Sequence, residues 1–164
     1  MRVWLVGWAL AMGLWAQETT VVLVRHAEKV SATDPDSLLS GAGLRRAAAL
    51  VPLLAGFKPT VLYVSERQRT QQTMAPTARH LRLKPLIHSS EAPETLAAAI
   101  LSHHRGQTVA IAWHHGPHEA LARALGVKTP LPVWTATTFD RIWVIRIPLE
   151  GPARFEERLQ PPLR

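Results

Sequence analysis

The 164-residue chain contains no cysteine. That absence excludes disulfides, zinc–thiolate centres and a cysteine nucleophile together, though it leaves the compartment open. Lysine and arginine never run longer than the pair Arg45-Arg46. A continuous basic stripe is therefore missing, and no nucleic-acid partner is expected. Internal repeats and low-complexity tracts are absent too, and the composition points to neither disorder, collagen nor a coiled coil. What the chain does have is room for one domain and a formal net charge of +7. A basic balance suits an anionic ligand, or simply a solvated arginine-rich surface.

One long apolar run stands at the N-terminus. Arg2 is followed by an uncharged stretch from Val3 to Ala16, then by Gln17 and Glu18. A positive start, an apolar stretch and a polar beginning form the pattern of a secretory signal peptide. The run is too short to cross a bilayer comfortably as a helix, so no stable membrane span is expected. The expectation is an exported protein, periplasmic or extracellular, with residues 1–16 as signal peptide and 17–164 as a single domain. The competing reading is a buried first strand or core helix. The single positive charge, and Leu14 where a small residue would suit cleavage, depart from the signal-peptide pattern, but export is the reading preferred.

Downstream the chain alternates strand-like and helix-like segments. Thr20–Val24, Val61–Val64 and Val109–Trp113 are short runs rich in β-branched and apolar residues, as in strands buried on both faces. Phe139–Ile147 is a longer strand candidate, and Leu86-Ile87 a short one. Helices are expected over Leu44–Leu54, interrupted late by Pro52, and over Arg69–Leu81, bent or broken by Pro76. Two more fall over Glu94–His103 and His118–Leu125, the second stopped by Gly126. A proline-containing loop should cover 126–136, and the tail from Gln160 should be loose. This alternation predicts an α/β fold with a mostly parallel sheet covered on both faces. Such sheets bind ligands at the carboxyl ends of their strands.

Three predicted strands run into arginine and histidine at that edge. The first ends in Arg25-His26-Ala27-Glu28-Lys29, the second in Ser65-Glu66-Arg67-Gln68-Arg69, the third in His114-His115-Gly116. Arginine offers a planar fork of donors that matches phosphate oxygens. A neutral imidazole can take up a phosphoryl group covalently, and a protonated one can stabilise charge in the transition state. Two arginines and two histidines around one point are a phosphoryl-transfer set that needs no metal.

The same residues carry a resemblance. Arg25-His26-Ala27-Glu28 resembles the R-H-G/A-E signature of the histidine phosphatase (phosphoglycerate mutase-like) superfamily. Leu39-Ser40-x-x-Gly43-x-x-Arg46-Ala47 is similar to its L-S/T-x-x-G-x-x-R-A helix start. Ser65-x-x-x-Arg69-Thr70-x-x-Thr73 is similar to its S-x-x-x-R-T-x-x-T element. The strand into His114, with Leu125-Gly126 downstream, resembles the family's second-histidine block, and residues 138–144 look like the final strand of a short subgroup. The blocks stand in the family's order over residues 20–147.

The resemblance implies a three-layer αβα sandwich and a metal-independent phosphatase on a phosphorylated small molecule or phosphoprotein. It makes His26 the phosphorylated nucleophile, Arg25 and Arg69 the clamp on the phosphoryl oxygens, and His114 the residue that completes the pocket. No metal or organic cofactor would be needed. A carboxylic acid would protonate the leaving group, with Glu91 the first choice and Glu94 the second. His115 departs from the pattern, because many relatives have a small residue there. The spacing His114-His115-x-x-His118 also invites a metal reading, weakened by the missing glutamate and by Gly116-Pro117. A mutase is disfavoured because the short span from Thr73 to Glu94 leaves little room for a lid. The remaining alternative is a non-catalytic anion-binding module of the same fold.

Overall fold

The structure is a computed structural model, and it describes residues 18–162. The expected signal peptide lies outside the described residues. The elements run β1 (Thr19–Arg25), α1 (Gly41–Gly56), β2 (Val61–Ser65), α2 (Gln68–Leu81), β3 (Leu86–His88), α3 (Pro93–His103), β4 (Thr108–Trp113), α4 (His118–Ala124), β5 (Arg141–Ile147) and β6 (Arg154–Leu159). Among the described residues, no helix is long and apolar enough to cross a membrane.

The six strands form one sheet in the order β3-β2-β4-β1-β5-β6. The pairs β3/β2, β2/β4 and β4/β1 are parallel, whereas β5 runs antiparallel to both β1 and β6. Strand periodicity divides the core into two layers. Val21 and Leu23 of β1 join Val109, Ile111 and Trp113 of β4 against Leu96 and Ile100 of α3 and Leu121 of α4. Val22 and Val24 join Ala110 and Ala112 on the opposite face, against Leu50 and Leu54 of α1 and Met74 and Ala78 of α2. The result is the expected three-layer αβα sandwich. The central strands are apolar throughout because both of their faces are covered.

Two expectations need correction, and one strand went unread. Pro52 and Pro76 neither end nor interrupt their helices. The buried residues on either side, Leu50 and Leu54 around Pro52 and Met74 and Thr77 around Pro76, pack those turns inward, and packing outweighs the lost backbone hydrogen bond. Strand β6 was not legible: its sequence R-F-E-E-R-L has little β character, and it exists by pairing with β5 at the sheet's edge. Gln160 is not loose. It is 4 % exposed, its backbone N–H donates to Asp140 O at 2.7 Å, and its side chain binds Arg46.

Candidate active site

Parallel pairing brings the ends of β1, β2 and β4 to one edge of the sheet. Arg25 lies in register with Trp113, so His26 and His114 both follow directly at the strand tips. Their ring centroids are 5.6 Å apart. Both are buried and line a cavity of about 390 Å³ together with Arg25, Lys29, Arg67, Arg69, Ser90 and His115.

His26 is held by its neighbours. Its backbone N–H donates to Trp113 O at 2.8 Å, and its Nδ1 lies 2.8 Å from Ala27 O. A carbonyl only accepts, so Nδ1 carries the hydrogen and Nε2 keeps the lone pair. Burial pulls the imidazole's pKa down to about 3 against the Ala27 carbonyl's opposing pull, with Arg25, Arg69 and His114 lowering it further. The ring is therefore neutral, with an available nitrogen, at any ordinary pH.

The rest of the R-H-A-E segment is a set of locks. Ala27 N–H donates to Thr73 Oγ1 at 2.9 Å, and that hydroxyl donates to Arg69 O at 2.6 Å. Glu28 accepts from Arg46 Nε and Nη2, with distances of 2.6–2.9 Å. Burial would raise the Glu28 carboxyl's pKa, but the Arg46 hydrogen bonds outweigh it and hold the group below its ordinary value. Ser40 caps α1 by accepting from Gly43 N–H at 3.1 Å, while its own N–H donates to Glu28 O at 2.9 Å. At Gly43 a Cβ would sit 2.1 Å from Glu28 O. The L-S-x-x-G-x-x-R pattern thus fastens the start of α1 onto the segment behind His26.

The S-x-x-x-R-T-x-x-T pattern does the same for His114. His114 Nε2 lies 2.8 Å from Ser65 Oγ, and Arg69 Nη2 lies 3.2 Å from His114 Nδ1. Guanidinium can only donate, so Nδ1 accepts and Nε2–H donates to Ser65. Ser65 Oγ then donates to Thr70 Oγ1 at 2.9 Å, and Thr70 donates to Arg67 O at 2.8 Å. Burial first, then the Arg69 charge, lowers the His114 pKa to about 4. His115, by contrast, is exposed at the cavity mouth. Burial lowers its pKa as well, followed by the charges of Arg25, Lys29 and Arg69.

Both predicted clamp arginines are present and restrained. Arg25 Nη1 donates to three carbonyls, Thr135 O, Ala136 O and Thr138 O, at 2.9, 3.0 and 2.8 Å, and its guanidinium lies 4.1 Å from the centre of the Phe139 ring. Burial, then the Arg69 charge, lowers its pKa to about 10. Arg69 Nη1 donates to Pro35 O at 2.6 Å. Each arginine keeps a buried Nε–H without a protein partner among the described residues.

The expected general acid is not brought in. Glu91 is exposed and does not line the cavity, which is bordered there by Ser90; Glu94 sits exposed in the first turn of α3. The nearby carboxylate is Glu66, which accepts from Ser90 N–H and Oγ at 2.8 and 2.6 Å and pairs with Arg67 at 3.1 Å. Burial pushes its pKa up, but the Ser90 hydrogen bonds prevail and keep it ionised, an acceptor rather than an acid. His118 does not join His114 and His115 as a ligand set. It stacks on Trp134 at 4.3 Å and 5° and lies 4.6 Å from Trp143.

Sequence reasoning missed the residues that steady Arg25. Trp134 is 4 % exposed and immediately precedes the turn whose carbonyls hold that arginine. Glu157 of β6 accepts from Trp134 Nε1 at 3.4 Å and Trp143 Nε1 at 2.9 Å. Carbonyl acceptors for a distant guanidinium have no side-chain signature. The T-F-D-R-I-W-V block was the only visible sign.

A buried neutral histidine lies among restrained arginines at the carboxyl edge of the parallel strands, an arrangement whose charge suits an anion. Residues 21–96 match the family described as the histidine phosphatase superfamily (branch 1). Over that stretch, which holds the Arg25-His26 and Ser65–Thr73 blocks, the chain is similar to that superfamily. Similar solved structures include a mycobacterial hydrolase (hydrolase 1), at 15 % identity and TM-score 0.69, covering 85 % of this chain and 97 % of that one. The protein histidine phosphatase SixA, complexed with tungstate, aligns at 17 % identity and TM-score 0.67, over 86 % and 97 %. A mycobacterial glucosyl-3-phosphoglycerate phosphatase aligns at 14 % and 0.64, over 85 % and 97 %. At such identities the likeness shows the fold alone. No curated protein sequence matches the chain.

Proposed function

We propose that the protein is a phosphoric monoester hydrolase that works through a phosphohistidine at His26. The observation that carries this reading is the His26 ring itself. It is buried, held neutral, and locked through Nδ1–H so that the Nε2 lone pair is free at the cavity. Nε2 attacks phosphorus, an N–P bond forms, and the P–O bond to the leaving group breaks. Water then cleaves the N–P bond and releases phosphate. Arg25 and Arg69 bind the equatorial oxygens. An arriving phosphoryl dianion offsets the Arg69 charge and favours a proton on His114, which stabilises the transition state. With no carboxyl lining the cavity, esters with good leaving groups are the best substrates.

That same lack of a carboxyl supports the second reading, a module that binds phosphate without turnover. Incubation with 4-nitrophenyl phosphate separates the two, because its leaving group needs no acid. The enzyme should hydrolyse it, and His26→Ala should lose about three orders of magnitude or more while remaining folded. Trapped protein should carry acid-labile, base-stable phosphate on His26. Turnover by the alanine variant near the parent level would sink the proposal.

A further inference from the structure

The cavity carries more fixed positive charge than a transferred phosphoryl group requires. Arg25, Lys29, Arg67 and Arg69 line it, and no carboxylate does. Arg67 is paired at the rim with Glu66. Arg25 and Arg69 are taken by the phosphoryl oxygens in the reading above. Lys29 is left over. Its ammonium donates to Ala32 O at 3.0 Å and has no carboxylate partner among the described residues. His115, exposed at the mouth, lies within electrostatic reach of Lys29, Arg25 and Arg69. Carboxylates outside the lining offset Arg25, Arg67 and Arg69 in part, but no ion pair answers Lys29 among the described residues, and a second anion beside it would be attracted. The space permits it. A cavity of about 390 Å³ falls in the size range of pockets for whole small molecules, larger than one phosphoryl group demands.

We infer that Lys29 and His115 form a second anion subsite, so that the substrate is a small phosphate ester whose leaving group carries a further carboxylate or phosphate. The inference rests on the phosphoryl site proposed above, but binding alone tests it. Phenylphosphonate offers one anionic group and cannot be hydrolysed. Its ortho, meta and para carboxy isomers, and the three benzenediphosphonates, add a second anion at graded positions. Calorimetric titration of the full chain at neutral pH should find at least one of the six about tenfold or more tighter than phenylphosphonate. In Lys29→Gln that ratio should fall below about threefold, and His115→Gln should lower it in the same direction. A carboxy isomer leading the series names a carboxylate; a diphosphonate leading names a second phosphate.

Affinities within about threefold of phenylphosphonate for all six compounds, or a ratio untouched by Lys29→Gln, would overturn the inference. Failure of phenylphosphonate itself to bind would remove both readings. A Lys29-dependent preference in a protein that does not hydrolyse 4-nitrophenyl phosphate would remove only the catalytic one.

Discussion

Trp134 does not line the cavity, yet its loss should be felt at Arg25. The ring stacks on His118 at 4.3 Å, lies 4.6 Å from Trp143, and donates to Glu157. The next residues supply the three carbonyls that hold Arg25 Nη1. Truncating a buried aromatic ring to alanine costs about 3–5 kcal/mol. At roughly 3 °C per kcal/mol for a domain of this size, Trp134→Ala should lower Tm by about 10 °C. With the anchor gone the turn shifts, and Arg25 loses its preset position. A displaced clamp of this kind should reduce kcat/KM about 30-fold, or ~2 kcal/mol of transition-state stabilisation.

A double-mutant cycle separates that effect from general loosening. If Trp134 acts by positioning Arg25, then in an Arg25→Ala background Trp134→Ala should cost less than about threefold. The assay is initial-rate hydrolysis of 4-nitrophenyl phosphate at 25 °C, well below either Tm. Trp134→Phe, which keeps a ring on His118, should recover most of the activity of the alanine variant. Equal losses in the two backgrounds would refute the positioning argument and reduce Trp134 to a core residue.

Three further outcomes follow from the geometry. His114→Ala should lose at least about a hundredfold in kcat/KM, ~2.7 kcal/mol, whereas exposed His115→Ala should lose less than about tenfold on an aryl phosphate; the reverse ranking would place the second histidine one residue later. Gly43→Ala should destabilise the fold by about 1–3 kcal/mol in urea unfolding, because its Cβ would fall 2.1 Å from Glu28 O, a clash that outweighs alanine's better helix propensity; an unchanged midpoint would show that the contact yields freely. Stability should also fall as pH drops below about 6.5. His26, His114 and His118 are held neutral by burial down to about 3, 4 and 4, so between those values and 6.5 the unfolded chain binds more protons than the folded one. Thermal melts from pH 7 to pH 4 should show Tm decreasing steadily, and a flat Tm over that range would mean the rings are already protonated in the folded state.

Much of this was readable from sequence, for a definite reason. Residues 20–24 and 109–113 are apolar without alternation because both faces of a central parallel strand are buried, and that pattern is local. The strand tips then carry Arg25, His26 and the His114-His115 pair, and the resemblance to the histidine phosphatase pattern is what singles out His114 and Arg69. Glycine and serine in the 39–47 block signal a cap and a close approach whose partner, the Glu28 carbonyl, is only 12 residues from Ser40.

What tertiary structure alone decided involves partners far apart in the chain or without side-chain identity. The carbonyls that fix Arg25 lie 110 to 113 residues away, and backbone oxygens are the same at every position. Strand β6 forms only because β5 presents an open edge, so its own residues could not announce it. Whether a carboxyl reaches the cavity depended on the path of the loop after β3, which turns Ser90 inward and leaves Glu91 outside. Sequence determines which residues stand at a strand's end, because strand periodicity is written in consecutive side chains. Which of them meet, and which charges go unanswered, is set by long-range packing that no short stretch encodes.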